Sequence, residues 1–158
     1  MKVPAQWVGI MLTLIASHAA AQTASQLSAL KGKMKPGLYA QRMEMDMGSV
    51  PGMPPGMGKQ SFTLQNCLTD DDIEKGELGR KDKDKDAPDC KVSDFKVSAT
   101  SAAYRMVCKG ETPMTADVVI AFASDGFRMN MKSTMDMGGQ KMTSSMAIDA
   151  KYLGPCKK

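Results

Sequence analysis

Thioether sulfur is the chemistry this chain repeats most regularly. Met129, Met131, Met135 and Met137 share one parity, and Met142 and Met146 share another across the pair Gly138-Gly139. Thioethers are soft donors that select Cu(I) over harder cations. A metal-ligating reading therefore names Met43, Met45, Met47, Met131, Met135, Met142 and Met146, with Met131, Met146, Met135 and Met142 as an internal set. A more accessible set would join Met43 to Met47 with Met53 and Met57. Against the metal stand two other roles for the same side chains. Methionine is unbranched and fills irregular interiors, and it also walls adaptable apolar pockets.

The remaining reactive residues exclude more than they suggest. Cys67, Cys90, Cys108 and Cys156 show no C-x-x-C spacing, so two disulfides are expected rather than a thiolate metal site. Of the three connectivities, Cys67 with Cys90 closes a polar excursion and Cys108 with Cys156 ties down the chain end; this is the expected pairing. Asp82, Asp84 and Asp86 have the alternate spacing of a calcium loop, but Ala87 and Ser93 stand where glycine and glutamate are needed, and lysines interleave. Ser93 and Lys96 match S-x-x-K, which works from a helix; on a strand, positions three apart face opposite ways. No enzyme is expected.

The N-terminus sets the address. Lys2, an apolar stretch from Trp7 to Ala16, and Ala19-Ala20-Ala21 read as a secretory signal cut after Ala21, which leaves 158 − 21 = 137 residues. The apolar stretch is too short to span a bilayer as a helix, and no later run is longer. A soluble, monomeric, periplasmic product is expected. Cleavage removes Trp7 and His18, the only tryptophan and histidine. With histidine go most zinc sites, Ser-His-Asp triads and Cys-His nucleophiles. The charge falls from +4 to +3 with Lys2, and interspersed signs predict no nucleic-acid surface.

Strands must position the methionines, because alternate residues of a strand share a face. Turns at Asp125-Gly126 and Gly138-Gly139 would set Phe122 opposite Met129 and Met129 opposite Ile148, with Ile120, Met131 and Met146 as the next row. Val118, Ser133 and Ser144 follow, then Ala116, Met135 and Met142. A loop over 109–113 places Tyr104 opposite Val118 and Met106 opposite Ala116, and a turn at Thr100-Ser101 pairs Phe95 with Met106. Strands are thus expected near 37–47, 59–66, 91–98, 102–109, 114–124, 127–137 and 140–151. The predicted fold class is all-β: an antiparallel meander of about seven strands, curled into a half-open or incomplete barrel because one apolar face needs cover. Thr69 as N-cap with Asp72 predicts one short helix after Cys67. The Pro/Gly-rich stretch from Gly48 to Gly58 reads either as a flap over one mouth of the sheet or as a disordered loop with two solvent-facing methionines, and 80–86 as a charged solvated loop. In domain terms, 1–21 is the leader, 22–35 a flexible segment and 36–158 a single β-rich domain.

Several motifs carry a resemblance in their order along the chain. Lys35-Pro36-Gly37-Leu38-Tyr39, the Met-Pro-Gly loop, Gln65-Asn66-Cys67-Leu68-Thr69, Cys90-Lys91-Val92, Tyr104 to Gly110 and Leu153-Gly154-Pro155-Cys156 together resemble the exported bacterial family called domain of unknown function 3617. Leu38-Tyr39 departs from the Leu-Trp usual there. The resemblance implies a periplasmic, cysteine-paired β-rich domain and brings no activity or functional residues with it.

The functional expectation is a non-catalytic binder without cofactor. It would hold a small hydrophobic molecule or a partner in a methionine-lined concave sheet. Tyr39, Tyr104, Met106, Met131, Ser133, Met135, Met142, Ser144 and Met146 would line it, with the serine hydroxyls orienting the guest. Cu(I) binding is the alternative, and a purely structural or stress-related envelope role the second.

Overall fold

The computed structural model describes residues 26–48, 58–75, 78 and 89–157. The segment read as a leader, the stretch 49–57 with Met53 and Met57, and the charged run with Asp82, Asp84 and Asp86 lie outside the described residues.

Seven strands form one antiparallel sheet: β1 (Gly37–Asp46), β2 (Lys59–Leu68), β3 (Asp89–Val97), β4 (Ser101–Lys109), β5 (Met114–Ala123), β6 (Gly126–Met137) and β7 (Gln140–Gly154). Their order is β2-β1-β7-β6-β5-β4-β3, so the meander from β3 to β7 is extended by β1 pairing with the last strand. β2 and β3 are the two edges and the barrel stays open. Alternation decides the faces. In β1, Tyr39, Gln41 and Met43 are buried while Arg42 and Glu44 are exposed, and β5 buries Ala116, Val118 and Ile120 between Asp117 and Val119. The buried side is called the inner face below.

The expected second hairpin is observed residue for residue: Gly138 and Gly139 take φ of 66° and 91°, and Met131 faces Met146, Ser133 faces Ser144 and Met135 faces Met142. The pairs Tyr104 with Val118 and Met106 with Ala116 are also as read. The first hairpin is displaced. Phe122 faces Phe127 and Ile120 faces Met129, so the turn is Ser124-Asp125, neither of which has a positive φ. Gly126 belongs to β6 for a different reason: a Cβ there would collide with the Ala150 carbonyl oxygen of β7. The shift is by two residues, so every side chain keeps its face. At the β3–β4 hairpin Val92, not Phe95, faces Met106. Asp94, with φ of 54°, makes a bulge there, and the bulge returns Phe95 to the inner face, 6.1 Å from the Tyr104 ring.

The disulfides correct the expected pairing of Cys67 with Cys90 and of Cys108 with Cys156. Cys67 is bonded to Cys156 and Cys90 to Cys108. Cys67 with Cys90 would have joined the two opposite edges of the sheet. Instead Cys90 and Cys108 face each other across β3 and β4, with Cα atoms 3.9 Å apart. Leu38 lies between Cys67 on β2 and Gly154 on β7, which brings the chain end to the start of β1.

Cover for the inner face comes from outside the sheet. Thr69 and Asp72 cap α1 (Asp70–Lys75) reciprocally: the Asp72 carboxylate accepts from the Thr69 N–H at 2.8 Å, and the Thr69 hydroxyl accepts from the Asp72 N–H at 3.2 Å. That presses Ile73 onto the core beside Leu68 and Leu78. The N-terminal segment, read as flexible, carries a 3-10 turn at Ser28–Leu30, and Leu27, Leu30 and Met34 are buried in the same cluster. Lys31 ion-pairs with Glu74, joining the two covering elements. Beneath them the Tyr39 ring meets Phe127 and Tyr152 edge-on at 5.5 and 5.4 Å.

Candidate functional site

The candidate residues of the inner face do not form one pocket. Tyr39 sits in the aromatic cluster under the N-terminal cover, its hydroxyl donating to the Lys35 carbonyl at 2.7 Å. Tyr104 packs on Phe95, and burial pushes its phenol up to about 12. Met43 is buried in the row of Phe62, Ile148, Met129 and Ile120. Met106 is half-buried between Val92 and Ala116, and Met47 lies just past β1.

Two methionine rows do form. Met45, Met146 and Met131 face one another across β1, β7 and β6. Met142, Met135 and Met114 do so across β7, β6 and β5. All of them are half-buried. The Ser133–Ser144 row separates the two, so Met131 and Met135 are about 13 Å apart along the strand and the expected four-methionine set is not assembled. Ser133 and Ser144, the hydroxyls expected to orient a guest, share a hydrogen bond of 2.6 Å with each other.

The outer face holds the described cavity with an apolar floor. A saddle is concave along one diagonal on each side, so a twisted sheet can be hollow on its solvent face too. The cleft of about 600 Å³ crosses β2, β1, β7, β6 and β5. Its middle row runs Ser61, Glu44, Ala147, Asn130 and Val119; the next row runs Lys59, Asp46, Ser145, Lys132 and Asp117. Val119, nearly half exposed, and Ala147 give an apolar floor. A second hollow of about 360 Å³ adjoins it toward the Gly138-Gly139 turn and shares Asp46, Lys132 and Ser145. Met131 and Met146 touch the cleft as the residues between outward neighbours; the other expected lining residues do not border it.

Charge in the cleft is unevenly compensated. Each carboxylate has its own cation: Arg42 lies 2.8 Å from Glu44, Lys59 3.7 Å from Asp46, and Arg105 donates to Asp117 at 2.7 Å. The Arg105 hydrogen bond holds the Asp117 carboxyl below its ordinary range, against a smaller desolvation, and Lys132 adds to the lowering. Among the described residues Lys132 itself has no carboxylate within ion-pair distance, and it borders both hollows. The arrangement can seat an apolar body on Val119 and Ala147 while offering an ammonium and the Ser145 hydroxyl to an anionic group.

None of the outward residues that line this cleft is among those expected from the sequence, because alternation makes these positions largely polar. The one available signal was Val119 followed by Ile120, which puts a β-branched apolar residue at an outward position.

A family model described as "Protein of unknown function (DUF3617)" matches residues 34–156. No curated protein and no solved structure matches the chain.

Proposed function

The chain belongs to the DUF3617 family, whose description names no activity, and from its outer cleft we propose a non-catalytic protein of the cell envelope that binds an amphipathic small anion. The observation that carries this reading is Lys132, which among the described residues has no carboxylate within ion-pair distance, beside the apolar floor of Val119 and Ala147. An exported address is supported by the leader-like start and by four cysteines joined in two disulfides. A binding rather than catalytic role is supported by the state of the Asp117 carboxylate. A general base works best near neutral pKa, whereas Asp117 is held ionised well below that by Arg105.

Native mass spectrometry of protein purified from the organism that makes it tests the reading. A retained small molecule carrying an acid group supports it. A bare polypeptide mass contradicts it.

A further inference from the structure

The methionines at the far end of the inner face are placed unlike core residues. Where the sheet is best covered, the inward methionines Met43 and Met129 are buried in the core cluster with Val118, Ile120 and Ile148, which are each no more than 2% exposed. Met114, Met135 and Met142 occupy inward positions that remain half-buried, and they are not among the residues packed on the core cluster. They stand directly opposite one another on adjacent strands. Residues opposed across a ladder point to the same side with Cβ atoms about 4.5–5.5 Å apart, so three flexible side chains can bring their sulfurs together.

We propose that Met114, Met135 and Met142 form a trigonal thioether site for a soft monovalent cation, Cu(I) or its redox-inert analogue Ag(I). Three neutral sulfur donors match the softness and low charge of such an ion and offer nothing to calcium, magnesium or zinc. Partial exposure answers the cost of charge on an apolar face, because the bound ion keeps water on one side. The neighbouring Cys108 faces Met114 but is held in its disulfide with Cys90, so it supplies no thiolate. Methionine rather than leucine at these positions is what the site requires, since the two fill similar volume and only one donates.

The test uses the full disulfide-bonded protein titrated with Ag(I), and with Cu(I) held by a competing chelator, against Met114→Leu/Met135→Leu/Met142→Leu. Wild type should take up a single ion and the triple variant should bind roughly tenfold or more weakly. Selective 13C labelling of the methionine methyls gives a second readout on unaltered protein: Ag(I) should shift the Met114, Met135 and Met142 signals ahead of Met43 and Met129. Equal affinity of variant and wild type, no uptake by wild type, or shifts that begin at other methionines would each overturn the site. None of the three lines the larger outer cleft and only Met142 borders the adjoining hollow, so anion binding on Val119 and Lys132 stays an independent question.

Discussion

Ser133 and Ser144 meet at 2.6 Å between the two methionine rows, and the first is buried while the second is half-buried. That asymmetry predicts unequal costs. Ser144→Ala leaves the buried Ser133 hydroxyl without its partner and should cost about 1–3 kcal/mol, whereas Ser133→Ala leaves a hydroxyl that water can reach and should cost about 0.5–1.5 kcal/mol. The double variant should cost less than the sum. Urea unfolding of the three variants measures this, and strict additivity would mean that the pair is not coupled.

The disulfides close loops of different length, 89 residues of separation for Cys67–Cys156 against 18 for Cys90–Cys108. Chain entropy alone gives about 4.6 and about 3.2 kcal/mol respectively. Replacing Cys67 and Cys156 by serine should therefore lower the urea midpoint more than replacing Cys90 and Cys108. Peptide mapping without reductant should recover these same two linkages, and a Cys67–Cys90 peptide would refute the topology of the sheet edges.

Tyr104 predicts an alkaline limb of stability. Its phenol is raised from 10 to about 12 by burial, so the unfolded chain loses the proton first as pH rises. The contribution is fully present below pH 10 and is lost between about 10 and 12, a difference of about 2–3 kcal/mol. Comparing unfolding of wild type and Tyr104→Phe at pH 9 and pH 11.5 isolates it, because the lysines titrate alike in both. A gap that stays constant with pH would show that the phenol is not desolvated.

At the acid end the sign reverses. Asp117 is held below its ordinary value, first by the Arg105 hydrogen bond, so its contribution is present above the unfolded carboxylate pKa and disappears as pH falls through the lowered folded value. The pair is exposed, so the effect is small and salt-sensitive. NMR titration of the Asp117 carboxyl carbon should show a midpoint that rises toward normal in Arg105→Gln; an unchanged midpoint would rule out the pairing.

Strand positions and faces were legible because period-two alternation runs through β1, β5, β6 and β7, and the Gly138-Gly139 turn set one register outright. Glycine misled at Asp125-Gly126, where a missing Cβ serves close approach to β7 rather than turn geometry. The disulfides were illegible for a related reason. Only the pairing of β1 with β7 brings Cys156 to Cys67, and that contact spans nearly the whole domain. A cleft on the outer face depends on how the sheet twists, which side-chain alternation does not encode, and Lys132 stands out among the described residues only when registers give Lys59 to Asp46 and Arg105 to Asp117.

Fluorescence titration with anilinonaphthalene sulfonate, an apolar ring system bearing one anion, tests the central claim directly. Wild type should bind it in a salt-dependent manner, and both Val119→Asp and Lys132→Glu should weaken binding roughly tenfold or more, since each loses at least about 1.4 kcal/mol of contact. Met135→Leu should leave it unchanged. Binding that is indifferent to Val119 and Lys132, or that follows Met135 instead, would contradict the outer cleft as the functional site.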